Sequence, residues 1–151
     1  MLLQLYYMLR YQFYDSTKDL VDLEGDIQFI KDFLDLEKMR RDDFDYTIVF
    51  NDNIDGIKIP PLLFITFVEN AVKHSLDTEV KSYVDIVFAR ENEELLFTCI
   101  NSKPRYSRKY EAGGLGLKNI KRRLHLLYGD RYKLDIEDSE TSYSVKLRLK
   151  L

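Results

Sequence analysis

The chain has 151 residues, 45% of them hydrophobic and 13% aromatic, with 11 Tyr and 9 Phe against no Trp. That is long and apolar enough to bury about two thirds of its unfolded surface as a single domain, which excludes a disordered chain and removes the need for disulfide or metal staples. One cysteine and two histidines exclude a disulfide framework and a Cys/His zinc site, and the net charge of −3 conceals eight Lys/Arg against one Asp/Glu between Lys103 and Arg123, a local positive excess suited to holding an anion.

Met1 to Leu9 carries neither a basic leader nor a small-residue cleavage site, and no apolar run reaches the roughly 20 residues of a membrane span, so the chain as it stands reads as soluble and intracellular. Leu2, Leu5, Leu9 and Phe13 recur at helical spacing without an N-cap ahead of them, as in the tail of a longer helix. Asp15-Ser16-Thr17 is a break. A second helix is predicted from about Asp19 to Arg40, with Leu20, Leu23, Ile27, Ile30 and Leu34 on one face and acids opposite. Thr47 to Phe50 is a short β-rich run, ended by Asn51-Asp52-Asn53 and a turn at Asp55-Gly56.

The segment from Ile59 to Ser75 is the centre of the reading. Pro60-Pro61 predicts a helix opening at Pro61, where the missing N–H costs nothing. The helix is apolar on nearly every side and therefore expected to be buried, yet Thr66, Glu69, Asn70 and Lys73 fall on one stripe of it. Such a stripe faces a polar network, a metal, a ligand or water, because burying these groups without partners costs several kcal/mol. Alternatively, Glu69 and Lys73 form an ordinary i,i+4 surface pair.

Tyr83–Ala89 and Glu94–Asn101 read as a hairpin, with Cys99 a small core residue. From Ser102 to Gly114 there is no apolar period, which predicts a long basic loop, ordered only around a ligand. Gly113-Gly114-Leu115-Gly116 then opens a helix with Leu117, Ile120, Leu124 and Leu127 inward, stopped at Tyr128-Gly129-Asp130. The glycines let backbone N–H groups approach a phosphate at the positive end of that helix. They fit neither a Walker loop, which needs Gly-Lys-Ser/Thr, nor a dinucleotide fingerprint, which needs a parallel βαβ unit. Tyr132–Glu137 and the strict alternation of Tyr143–Leu151 close the chain as strands with one wet face. The order predicts an α+β fold: a two-layer α/β sandwich of one mixed, mainly antiparallel sheet with helices on one face.

Glu69-Asn70-Ala71-Val72-Lys73-His74, taken with Gly114-Leu115-Gly116-Leu117-Lys118-Asn119-Ile120 and Arg123-Leu124, resembles the ATP-binding domain of the GHKL superfamily. More closely, it resembles the bacterial sensor histidine kinases of the LytS/YehU type. Leu9-Arg10-Tyr11, Leu23-Glu24-Gly25-Asp26, Leu36-Glu37-Lys38-Met39-Arg40, Ile59-Pro60-Pro61 and Tyr128-Gly129 extend the likeness over nearly the whole chain.

The resemblance implies a Bergerat-type ATP-binding fold over residues 15–151. Residues 1–14 would then be the tail of an upstream dimerisation and phosphoacceptor hairpin. It implies ATP and Mg²⁺, with Asn70 as the metal ligand and Glu69 as the polar or base residue orienting the attacking group. Lys73 and His74 would lie toward the phosphates, with Gly113, Gly114, Leu115, Gly116 and Leu117 in the closing lid and Asn119 supporting it. Arg105, Arg108 and Lys109 are lid candidates for the γ-phosphate.

Two departures stand out. The family's adenine-binding Asp box is replaced by Cys99-Ile100-Asn101-Ser102-Lys103-Pro104, with Ile100 where the acid is expected and Asn101 left to serve the metal or lid region. The Gly-Thr box is reduced to Glu140-Thr141-Ser142. Neither His74 nor His125 lies in a phosphoacceptor context, so the acceptor histidine is expected in another segment.

The implied function is the catalytic domain of a two-component sensor kinase, a homodimer in the full-length protein. It would work with a phosphoacceptor domain of the same protein and a response regulator. It would bind no nucleic acid and would meet the membrane only through N-terminal segments outside this chain, as the cytoplasmic domain of an inner-membrane sensor. The alternatives are a degenerate module binding ATP weakly or not at all, and a switch kinase acting on a protein serine.

Overall fold

A computed structural model describes residues 2–76, 81–104 and 115–151, with Asp52 and Leu115 described in the backbone alone. In chain order the elements are α1 (Leu2–Phe13), β1 (Val21–Asp22), α2 (Leu23–Arg40), β2 (Phe44–Phe50), β3 (Lys58–Ile59), α3 (Ile65–His74), β4 (Ser82–Glu91), β5 (Glu94–Ser102), α4 (Leu115–Tyr128), β6 (Tyr132–Asp138) and β7 (Ser142–Lys150). Five strands form one sheet in the order β2-β4-β5-β7-β6, and β1 pairs with β3 in a separate two-stranded ladder. Only the β2–β4 pairing in the large sheet is parallel, joined through α3 as a crossover.

Period-two alternation sets which face of the sheet is covered. Val84, Ile86 and Phe88 of β4, Leu95, Phe97 and Cys99 of β5, and Val145, Leu147 and Leu149 of β7 are buried, while the residues between them are half-buried or exposed. The buried face meets α3 through an aromatic cluster. Phe64 lies 4.8 Å from Phe97 and 5.2 Å from Phe88 between ring centroids, and Phe67 lies 5.9 Å from Phe97. Burying each such ring contributes roughly 1.5–3 kcal/mol. The expected sandwich, a mixed and mainly antiparallel sheet covered by helices on one face, is the fold observed.

Boundaries differ where distant partners intervene. Helix α2 begins at Leu23 rather than Asp19, because Val21 and Asp22 are drawn into register with Ile59 and Lys58, leaving Leu20 exposed. Strand β2 starts three residues early, since Phe44 and Asp45 pair beside Ser82 and Tyr83. The hairpin closes through a two-residue turn, Asn92-Glu93, with Asn92 at φ +55°. Leu127, expected inward on α4, is exposed, whereas Leu117, Ile120 and Leu124 are buried. Gly129, at φ +60°, ends that helix as its position suggests.

Helix α1 lies antiparallel against α2. Gln4 donates to Asp35 (3.0 Å) near one end and Tyr11 donates to Asp26 (2.6 Å) near the other, while the Tyr11 ring stacks on Phe29. Its other side carries Leu2, Leu3, Tyr6, Tyr7 and Phe13 into solvent. Among the described residues no helix is long and apolar enough to cross a membrane.

Candidate functional site

The polar stripe belongs to a helix that starts later than the prolines suggest. Pro61 lies in a turn, Leu62 takes φ +58°, and α3 begins at Ile65. A leucine in the left-handed region costs on the order of 1–2 kcal/mol unless its surroundings hold it there. Here they do: the Leu62 N–H donates to Asp26 Oδ1 (3.0 Å), and Arg123 of α4 donates to the carbonyls of Pro61 (2.7 Å) and Leu62 (3.3 Å).

From that anchor, α3 buries Ile65, Phe67, Val68, Ala71 and Val72 against the sheet. It is therefore amphipathic rather than buried all round. Thr66 and Asn70 are half-buried, and Glu69 and Lys73 are exposed. Among the described residues no ion pair joins Glu69 to Lys73 and no side-chain hydrogen bond occupies Asn70. Partial desolvation pushes the Glu69 carboxyl above its usual range.

Helix α4 runs alongside α3 in the opposite sense. Arg123 reaches the turn before α3, and Gly116, near the start of α4, sits against Thr66, where a Cβ would come within 3.6 Å of the threonine methyl. The positive end of α4 is thus placed beside the polar stripe. Leu117 has its side chain buried in the core, while Asn119 is exposed on the helix surface. Leu115 is the first residue of α4. Gly113 and Gly114, the lid candidates Arg105, Arg108 and Lys109, and the expected ordering of that loop all lie outside the described residues.

At the far end of α3 a second group of polar residues converges. The His74 ring lies 6.4 Å from that of Tyr143, and Tyr143 is the cross-strand partner of Asn101. Burial, together with Lys73 and Lys103, holds the His74 imidazole below its usual range against the opposing pull of Asp138. Lys103 itself is tied down, its ammonium to Asp138 (2.5 Å) and the Ser139 carbonyl (2.8 Å) and its N–H to the Thr141 carbonyl (3.1 Å). Thr141 is exposed in that turn.

Asn101 differs from the sequence expectation. On β5 it has the same parity as Leu95, Phe97 and Cys99, so it faces the helices and is fully buried, while Ile100 faces the open side of the sheet. The position that can reach a ligand held between α3 and the sheet is 101, and Ile100 does not occupy it. Counting in twos along the strand from Phe97 would have found this. The Asn101 amide donates to the Ser102 carbonyl (2.9 Å), which fixes its orientation, and its Oδ1 is buried with no partner. A buried acceptor left unpaired costs roughly 1–3 kcal/mol.

The sequence reading also passed over Tyr143, Asp26 and Arg123 as contributors to this region. Asp26 and Arg123 fall in motifs that carry the resemblance and Tyr143 in the alternating strand, but what each touches depends on pairings across more than thirty residues.

Among the described residues no group of three or more His, Cys, Asp or Glu could hold a metal by itself. The half-buried amide of Asn70 fits a magnesium ion that brings phosphate and water as its other ligands, since that ion accepts a single neutral protein oxygen.

Known proteins bear on this geometry. No family model matches the chain. A sensor protein named LytS from Staphylococcus haemolyticus is 28% identical over 163 residues, 99% of this chain and 28% of the relative. A sensor histidine kinase named BtsS from Escherichia coli K12 is 28% identical over 137 residues, 87% of this chain and 24% of the relative. The chain thus spans less than a third of the length of either. Among solved structures, the nucleotide-free catalytic domain of the histidine kinase ThkA matches with a TM-score of 0.63 at 18% identity, covering 87% of this chain and 93% of that one. The histidine kinase domain of a blue-light activated kinase from Erythrobacter litoralis matches with a TM-score of 0.68 at 14% identity, covering 99% and 72%. The chain is therefore homologous over nearly its whole length to sensor kinases named LytS and BtsS, and it has the fold of a histidine-kinase catalytic domain.

Proposed function

We propose that this chain is the ATP-binding catalytic domain of a two-component sensor histidine kinase and transfers the γ-phosphoryl group to a histidine carried outside it. The observation that carries this reading is the buried, unpaired Oδ1 of Asn101 behind the half-buried end of α3. An acceptor held in that state calls for an N–H donor from a ligand, and the exocyclic amine of adenine is such a donor. The locked amide favours an amino group over a carbonyl at that edge of the base.

The remaining residues follow from the direction of α3. Asn70, one turn nearer the α4 N-terminus, is the proposed ligand of the nucleotide-borne Mg²⁺, which when bound neutralises phosphate charge. Lys73 and His74, at the Asn101 end of α3, border the nucleotide on its base side, and the start of α4, Leu115 and Gly116, supplies N–H groups to the phosphates together with Gly113 and Gly114 ahead of it in the sequence. Asn119 and Thr141 border the site. In the transfer the bond from the γ-phosphorus to the bridging oxygen breaks, a bond to the acceptor imidazole nitrogen forms, and ADP leaves. Glu69 orients the imidazole and takes its proton, a role its raised carboxyl suits.

Residues 1–14 are proposed as the tail of the phosphoacceptor hairpin, which makes the intact protein a homodimer attached to the inner membrane by its N-terminal segments. A response regulator is the proposed recipient of the phosphoryl group; one structure with this fold is the histidine kinase ThkA in complex with the response regulator TrrA.

Calorimetric titration of the 151-residue chain with Mg·ATP or a non-hydrolysable analogue tests the reading. Saturable binding is expected. A parent chain that neither gives heat nor gains amide protection at millimolar nucleotide would overturn it.

A further inference from the structure

The first turn ahead of α3 is held from two sides by groups that the nucleotide reading does not use. Asp26 of α2 is 1% exposed, yet only one of its carboxyl oxygens is occupied: Oδ1 accepts from both Tyr11 (2.6 Å) and the Leu62 N–H (3.0 Å), while Oδ2 has no partner. Burial pushes its carboxyl above the usual range, against the pull of those two donors and of Arg123. An apolar residue would fill the same space at less cost, so a half-satisfied buried carboxyl is poorly explained as a stabilising device. What it does is join three elements. Tyr11 brings the end of α1, Leu62 the strained turn that launches α3, and Arg123, which grips the two carbonyls of that turn, the helix α4. The Tyr11 ring edge lies 3.6 Å from the Cβ position of Gly25, in ordinary van der Waals contact with the first turn of α2.

We propose that Asp26 is a positioning residue that couples α1 to the nucleotide site, by holding Leu62 in its left-handed conformation only while Tyr11 is docked. The coupling to nucleotide rests on the function proposed above; the mechanical link from Tyr11 to the α3 turn does not. Displacing the end of α1 removes one of the two donors on Oδ1, loosens the Leu62 bond, and shifts the register at which α3 presents Glu69 and Asn70 and at which Arg123 holds α4. Because coupling is reciprocal, occupancy of the nucleotide site must in turn tighten the Tyr11 contact.

Amide hydrogen exchange on the whole chain, with and without a saturating Mg·ATP analogue, tests this in Tyr11→Phe, Asp26→Leu, which removes the shared acceptor at similar volume, and the control Phe13→Ala, whose ring on the same helix is 71% exposed. The expected result is exchange at least tenfold faster at Leu62 and the first turn of α3 in the first two variants. Exchange within β5 and β7 should be unchanged, analogue affinity several-fold weaker, and the control silent. In the parent, the analogue should raise protection at Leu62, and that gain should vanish in Tyr11→Phe. Exchange that rises equally throughout the sheet, or does not rise at Leu62, overturns the proposal by reducing Asp26 to a packing residue. Faster exchange at Leu62 with unaltered analogue affinity overturns the link to the site. If the parent binds no nucleotide at all, the functional reading fails, and the exchange at Leu62 alone decides the mechanical link.

Discussion

The two ends of α3 are built on opposite principles. At its start, the backbone of Pro61 and Leu62 is gripped by Arg123 and Asp26, and a conformation unusual for leucine is enforced by contacts from α2 and α4. At its end, the polar groups are gathered but not mutually satisfied: Asn70 makes no side-chain hydrogen bond, Lys73 is exposed and the buried oxygen of Asn101 is unpaired. One end is fixed by the protein for itself. The other keeps bonding capacity that the protein does not spend on itself. Under the proposed function the two ends divide the work of holding a ligand group: rigidity comes from the anchored turn, and unmet bonding capacity from the polar residues beyond it.

Substitutions at the two ends should therefore separate stability from affinity. The largest effect is expected for Asn70→Ala, with nucleotide affinity falling on the order of a hundredfold, equivalent to about 2–3 kcal/mol. The thermal midpoint should scarcely move, because the amide has no partner to lose; calorimetry alongside thermal melts reads both. The mirror image is Arg123→Met, which removes two hydrogen bonds to the anchoring turn. It should lower stability by roughly 1–3 kcal/mol, seen as a lower urea midpoint at unchanged slope.

Asn101→Leu sharpens the comparison further. It exchanges an orphaned acceptor for an apolar group of similar shape, so stability should change by less than about 1 kcal/mol while affinity drops by roughly tenfold or more. Ile100→Asp, on the open face, should leave affinity within about twofold, and a gain there would place the base on the wrong side of β5.

The smallest effect concerns His74. Its folded-state imidazole titrates below the usual value, so its contribution is fully present above the ordinary histidine range near pH 6.5 and is lost as pH falls through the lower folded value. Thermal melts of the parent and His74→Gln between pH 7.5 and 5 should show the parent losing stability faster. Parallel curves would show that His74 is not desolvated in the folded protein.

What the sequence revealed divides along similar lines. The stripe of Thr66, Glu69, Asn70 and Lys73, the glycine-led helix and the alternation of Tyr143 to Leu151 were legible because each depends on a local period. The start of α2 was not, because Val21 and Asp22 are claimed by Lys58 and Ile59 nearly forty residues on. The start of α3 was misplaced because Pro61 looks like a first helical residue whatever follows, whereas the conformation of Leu62 is decided by Asp26 and Arg123. The inward direction of position 101 was readable in principle from the parity of Phe97 and Cys99, but the resemblance set Ile100, one residue earlier, in the place of the acid.

The parallel pairing of β2 with β4 has a consequence for how the chain comes into being. A ribosome releases β2 and then α3 before any part of β4, so for the 28 residues from the end of α3 at His74 to the end of β5 at Ser102 the apolar side of α3, with Phe64 and Phe67, lacks its complete sheet. Only when the β4–β5 hairpin has emerged can both be captured at once. A nascent chain stalled before Glu91 should thus be a client for chaperones, and the interval in which the nucleotide helix is most exposed to wrong partners is set by the crossover itself.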